Sequence, residues 1–316
     1  MIKALVRVAI MKRSVRQSTT KFLWVISAIC IAQSAFTQTN GIKASNIFGR
    51  KYKTGETYRY KLTMEESHNG KWDHTNIAIC ELRVVKDSAG VPYDEVHWIS
   101  RKTITGKDTI DVTSAARSVK PYRISLDTRG KIDLPAITVP DMTEPIQDFN
   151  TFFVAVSPML GIGKLKKTGD SSLSKDPVTA DFSNGSYILK GEDCIALSVK
   201  MISNTKQQVV IHSSFSPPSQ ACLSFLIPDM NTPVIADTIN NFQMVMQAGP
   251  DKYNVQYGRE YFYINSTLQK SDGKIVKAVM SNFLDLKLKI NCNKDYKECQ
   301  FEMPFAEQRT LVLEKL

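Results

Sequence analysis

Beyond residue 56, apolar and polar positions alternate with a period of two over much of the chain. Tyr58, Tyr60, Leu62 and Met64 fall in one phase, and Arg59, Lys61, Thr63 and Glu65 in the other. That pattern predicts a strand with one covered face. Asn69-Gly70 follows, the pair best suited to a two-residue hairpin loop. With those two as the loop, Leu62 faces Ile77 and Tyr60 faces Ile79, so the two apolar phases meet. In that register His68 shares a face with Glu66 and Asp73, while His74 lies on the other face opposite Glu65. One ion cannot use both imidazoles, so the tip reads as a solvated hairpin and no metal is expected.

Turn signals punctuate the rest. Asp87-Ser88-Ala89-Gly90 separates strands over 81–86 and 91–100, and Asp127-Thr128-Arg129-Gly130 separates 122–126 from 131–134. Residues 102–118 read as further strand or as a long loop. Strands are predicted over 186–189, 194–202, 208–215 and 221–227, with breaks at Gly191-Glu192-Asp193 and Pro217-Pro218. A long aromatic strand over 253–269 carries Gly258 as an expected bulge. After the Ser271-Asp272-Gly273 turn, Leu284, Leu286, Leu288 and Ile290 alternate with Asp285, Lys287 and Lys289. Joining Cys292 to Cys299 sets Ile290 opposite Phe301, Leu288 opposite Met303, Leu286 opposite Phe305 and Lys289 opposite Glu302. Apolar meets apolar and charge meets opposite charge, which predicts a disulfide across this hairpin.

Two runs switch to helical spacing. Both follow a similar junction: Val139-Pro140-Asp141-Met142-Thr143-Glu144-Pro145-Ile146 and Ile227-Pro228-Asp229-Met230-Asn231-Thr232-Pro233-Val234. In each, Asp or Thr is placed to cap free N–H groups and a Pro falls in the first turn. Ile146, Phe149, Phe153, Val156 and Leu160 form the first stripe, stopped by Pro158 and Gly161. Ile235, Ile239, Phe242 and Val245 or Met246 form the second, stopped by Gly249-Pro250. The two helices read either as flaps over a cavity or as elements packed on one sheet face. The predicted fold is mainly β: a large curved antiparallel sheet or half-barrel with two short covering helices.

The full chain has 316 residues and a formal charge of +10. Residues 1–37 hold six basic side chains and no acidic one, so without them the charge is +4. Within them, residues 22–36 are a short apolar run behind a basic region, which predicts a secretory signal rather than a membrane span. Met11 is an alternative start, and Cys30, preceded by Ile29, lacks the small neighbour that a lipid-anchor site needs. Residues 38–50 read as a flexible lead and 51–316 as one β-rich domain, with a Ser/Lys/Asp loop at 169–176 as its candidate internal boundary. No basic run interleaved with aromatics suggests nucleic acid. Five cysteines remain after residue 37, an odd number.

No nucleophile elbow, zinc-protease, redox-dithiol or dinucleotide motif occurs, so no catalytic residue and no cofactor is assigned. Aromatics are the more suggestive feature. Tyr58, Tyr60, Tyr257, Tyr261 and Tyr263, with Phe149, Phe153 and Phe242 from the helical runs, are candidates to line a cavity for an apolar ligand. The alternative is that Tyr serves here as a good strand residue with a polar tip.

The late signal, Gln38, the opening Gly55-Glu56-Thr57-Tyr58-Arg59-Tyr60 and the Ser271-Asp272-Gly273-Lys274 turn into a self-pairing meander resemble exported proteins of Bacteroidota. The layout also resembles the LolA/LppX-like lipoprotein-carrier half-barrels. That resemblance implies a periplasmic or envelope protein of a Gram-negative bacterium whose sheet holds a lipid or another apolar small molecule. The expected function is non-enzymatic apolar-ligand binding. The alternatives are a structural or protein-interaction module and, third, a glycan or peptide hydrolase.

Overall fold

The structure, a computed structural model, describes residues 48–132, 138–174, 188–189, 197–215, 225–226, 235 and 242–316. The alternating segments form β1 (Thr57–His68), β2 (Lys71–Lys86), β3 (Pro92–Thr105), β4 (Asp108–Asp111) and β5 (Tyr122–Ile124). After them come β6 (Ser171–Ser174), β7 (Ile188–Leu189), β8 (Leu197–Asn204), β9 (Gln208–Phe215) and β10 (Phe225–Leu226). The chain ends with β11 (Phe242–Gly249), β12 (Lys252–Gln269), β13 (Ile275–Cys292) and β14 (Phe301–Lys315). The helices among the described residues are α1 (Thr113–Ser118) and α2 (Thr143–Val154). The architecture is mainly β. Twelve strands make one curved antiparallel sheet in the order β4-β3-β2-β1-β14-β13-β12-β9-β8-β6, with β5 beside β3 and β11 beside β12. β7 and β10 pair separately. Because β1 pairs with β14, the middle of the sheet is built from both ends of the described chain.

One face of this sheet packs on α2. Tyr60, Leu62, Ala78, Leu82 and Trp98 meet Leu311, Leu313, Ala278, Ile264 and Ile211 from the later strands, and Phe149, Phe152 and Phe153 descend on them from the helix. The burial of β1 alternates as its sequence does, with Tyr58, Tyr60, Leu62 and Met64 covered. The Cys292–Cys299 disulfide is present, and Ile290–Phe301, Leu288–Met303, Leu286–Phe305 and Lys289–Glu302 are all paired across the hairpin.

The structure corrects several local expectations. Asn69 and Gly70 do form the β1–β2 turn, both with positive φ. A bulge intervenes, however: Glu66 pairs with His74 and Ser67 with Trp72, leaving Asp73 extra. Leu62 therefore faces Ala78 and Tyr60 faces Cys80. One extra residue moves every partner by one position. At Gly258 the β12–β13 register runs on without a shift. Glycine serves close approach there, since a Cβ would lie 2.3 Å from the Asp285 carbonyl oxygen.

Helix α2 begins after a 3-10 turn at Pro140–Met142, and no side chain caps it; its first N–H, that of Thr143, bonds back to the Pro140 carbonyl of that turn. Of the second predicted helix, Phe242–Gly249 is instead strand β11, paired with β12. A short apolar run fits either period, and the free upper edge of β12 decides the outcome. Residues 102–118 divide into the end of β3, β4 and helix α1. Within the predicted loop at 169–176, Ser171–Ser174 is edge strand β6, paired with β8. The end of the predicted flexible lead is docked: Phe48 is buried in the main core. The expected signal region with Met11 and Cys30, the second junction at 227–234, the breaks at 191–193 and 217–218, and Cys194 and Cys222 lie outside the described residues.

Candidate functional site

The aromatic candidates divide between the two faces of the sheet. Tyr58, Tyr60, Phe149 and Phe153 lie together on the helix-covered face. Phe149 and Phe153 are 4.9 Å apart between ring centroids, and each lies 6.0 Å from Tyr60. Trp98 closes the cluster edge-on to Phe149 at 5.6 Å. The Tyr60 hydroxyl donates to the Ile275 carbonyl at 2.8 Å, and the Tyr58 hydroxyl accepts from Arg50 at 3.3 Å. These rings fill the space beneath α2. Nearby, the gap among Phe48, Leu126, Val156, Ile162 and Leu268 is about 10 Å³, room for at most one water.

Tyr257, Tyr261 and Tyr263 point to the opposite face, because even-numbered positions of β12 turn toward the helix. Tyr257 is buried there with Val245, Val255, Cys292 and Tyr296, and donates to Glu302 at 3.0 Å. Lys289 lies over its ring at 5.3 Å. Tyr261 packs on Phe283, and the exposed Tyr263 stacks on His212. Phe242 opens β11 opposite Gly258.

A second feature of the helix-covered face is a buried polar layer. Arg309 donates to Asp148 at 2.6 Å and to Glu144 at 3.0 Å, both on α2, and approaches Glu66 at 3.9 Å. His68 Nε2 lies 2.8 Å from Glu66 and 3.9 Å from Glu307. Asn76 donates to Glu144 at 3.2 Å, and Asn282 donates to the buried Glu260 at 2.7 Å. One guanidinium thus faces several carboxylates in a low-dielectric layer. Burial pushes Asp148 up to about 7 against the pull of Arg309. Burial and the neighbouring Glu66 raise Glu307 to about 7. Burial also raises Glu260. For Glu66, burial is outweighed by His68, His74 and Arg309, and its carboxyl is held low.

Sequence reading passed over this layer, although a signal was present. On β14 the helix-facing phase runs Phe305, Glu307, Arg309, Leu311, Leu313, so two charged residues occupy apolar-phase positions.

A third feature lies past α2, where the same face continues along the β13–β14 hairpin. Leu286, Leu288 and Ile290 pair with Phe305, Met303 and Phe301 on β14, and Leu284 pairs with Glu307. Leu284 and Leu286 are covered, while Phe301 is 58% and Met303 44% exposed. The core face thus continues as an open apolar surface. Among the described residues, no helix is long and apolar enough to cross a membrane.

No known protein family matches the chain, and no curated protein matches it. Among solved structures the chain is similar to lipovitellin, studied for its lipid–protein interactions, with 10% identity and a TM-score of 0.42 over 84% of this chain and 25% of that one. The chain therefore spans about a quarter of the lipovitellin chain. It is also similar to the outer membrane protein OmpT of Vibrio cholerae, at 8% identity and TM-score 0.18 over 84% of this chain and 100% of that one. A further likeness is to the MucA/MucB complex of Pseudomonas aeruginosa, at 10% identity and TM-score 0.15 over 83% of this chain and 89% of that one. Likenesses this distant carry no argument about the chain, and the case for its function rests on its own residues.

Proposed function

We propose that this chain is an exported, non-enzymatic protein of the bacterial envelope that binds an apolar ligand of the lipid class on the open end of its sheet. In this reading residues 1–37 are a signal removed on export and 51–316 act as one binding domain. The observation that carries the proposal is the open apolar surface of the β13–β14 hairpin. Phe301 and Met303 are largely exposed beside Leu288 and Ile290, on strands whose other face carries Lys287, Lys289 and Glu302. Contiguous exposed apolar surface of this kind marks binding sites, and Met adapts its shape to irregular apolar ligands. The close packing of rings beneath α2 supports placing the ligand on this open face and not in the predicted cavity.

The test is native mass spectrometry of chain purified from the periplasm, before and after organic extraction. The expected result is an extractable lipid on the wild type that is lost when Phe301→Asp and Met303→Asp are combined. A bare wild-type chain that also fails to bind fatty-acid or phospholipid vesicles overturns the lipid reading. The filled interior favours one second reading, a module that docks an apolar protein surface on the same strands. A co-purifying protein that is lost in the same double variant selects it.

A further inference from the structure

We propose that Glu66, His68 and Glu307 form a binding site for a divalent transition-metal ion of the zinc class, at the β1–β2 end of the helix-covered face. This goes beyond the apolar-ligand reading and does not depend on it.

The site is a product of register. His68 and Glu307 are directly paired across β1 and β14, and Glu66 lies two residues along on the same face. One ligand atom from each of the three comes within 4.8 Å of the others. His68 Nε2 is 2.8 Å from Glu66 Oε1 and 3.9 Å from Glu307 Oε2. Tetrahedral zinc with ligands near 2.0–2.2 Å holds its donor atoms about 3.4 Å apart, so small side-chain shifts close the set around an ion. His68 Nδ1 faces Asp73 Oδ1 at 3.9 Å, placing a carboxylate behind the imidazole, as metal-binding histidines commonly have. The Phe305 ring packs at 5.3 Å from the imidazole and limits its rotation.

Charge favours a cation here. Arg309, which approaches Glu66 at 3.9 Å, is itself engaged by Asp148 at 2.6 Å and Glu144 at 3.0 Å. The side chains are 12% (Glu66), 18% (Glu307) and 34% (His68) exposed, so an ion and its remaining waters have access. An imidazole with two carboxylates suits zinc better than calcium, which takes oxygen ligands. A neighbouring set, Glu66, Asp73 and His74, shares Glu66. Its imidazole is already held at both nitrogens, by Asp73 at 2.9 Å and Asn76 at 3.1 Å, which assigns the ion to His68.

The test is titration of the untagged chain with zinc chloride alone. One zinc per chain is expected, with affinity falling tenfold or more in His68→Ala and in Glu307→Gln. His97→Ala, which removes the imidazole of a half-buried His97–Glu95 pair 3.1 Å apart, is expected to leave affinity unchanged. Absence of saturable one-to-one binding, or binding that survives both ligand substitutions, overturns the site. If His74→Ala alone abolishes binding, the assignment to His68 is wrong. X-ray absorption of the zinc-loaded wild type reads the site without relying on variants. One imidazole nitrogen among oxygen ligands supports it; two imidazoles, none, or any sulfur ligand overturns it.

Discussion

Arg309 on β14 donates to Asp148 on α2 at 2.6 Å, and both side chains are almost entirely buried. This contact ties the helix to the central strands at the point where the aromatic core gives way to the polar layer. Removing one partner strands the other in a low-dielectric site. At pH 8, above the Asp148 value of about 7, Arg309→Met is therefore expected to destabilise the fold by about 3–5 kcal/mol. Combining it with Asp148→Leu should recover a substantial part. Urea denaturation of the three chains checks this, and a single-variant loss below about 1 kcal/mol contradicts a stabilising pair.

The same layer sets a pH dependence. Burial raises Asp148 and Glu307 to about 7 and also raises Glu260, so the folded state holds these protons more tightly than the unfolded chain does. Their stabilising contribution is complete below the unfolded carboxylate value near 4 and is lost as pH rises through the folded value. Thermal unfolding followed from pH 4.5 to 8 should show this component of stability declining toward pH 8. Asp148→Asn should lessen that decline and leave the share that belongs to Glu307; an unchanged slope would show that Asp148 does not contribute to it.

The Cys292–Cys299 bridge closes a short loop over a small apolar cluster with Tyr296, Val255 and Tyr257. The chain-entropy treatment gives such a loop roughly 2–2.5 kcal/mol. Cys299→Ala, which spares the more deeply buried Cys292, is expected to lower stability by about that amount. Hydrogen exchange should quicken at 288–303 and stay unchanged on β1 and β2. Uniform acceleration across the sheet would show that the bridge supports the whole fold and not its open end alone.

Gly273 lets the N-terminal segment cross the β12–β13 turn. It has φ near 71°, and a Cβ there would lie 2.5 Å from the Gly49 carbonyl oxygen and 2.6 Å from the Arg50 Cα. That segment brings Arg50 to Asp94 at 3.1 Å and lays its guanidinium 4.5 Å from the centre of the Tyr52 ring. Gly273→Ala is expected to cost about 1–3 kcal/mol and to release the segment. Trypsin should then cut early at Arg50, Lys51 or Lys53. Unchanged protection of these bonds argues that the turn absorbs the methyl group.

Much of this fold was legible along the chain. The period-two pattern of β1 and of the β13–β14 hairpin is a local property, and the disulfide leaves that hairpin one register in which apolar and charged partners both match. Of the first helical stripe, Ile146, Phe149 and Phe153 became α2, where helical spacing and the flanking prolines agree, but the helix ends at Val154, so Val156 and Leu160 lie beyond it, Leu160 in a 3-10 turn.

Tertiary structure decided what depends on partners distant in sequence. The extra residue at Asp73 changed the β1–β2 pairing because β14 also binds β1: the Ala306 N–H bonds to the Asn69 side chain, and the Asn69 N–H to the Ala306 carbonyl. That shift turned His74 toward Glu66, while β14 brought Glu307 beside His68. The run from Phe242 became a strand because β12 offered it an edge, which no local period reveals. The tyrosines of β12 separated from those of β1 because strand parity, settled only by pairing, sends odd and even positions to opposite faces. Arg309 looked from its sequence like one more charge on a strand. It became the centre of a buried layer because α2, from the middle of the chain, lowers Asp148 and Glu144 onto it.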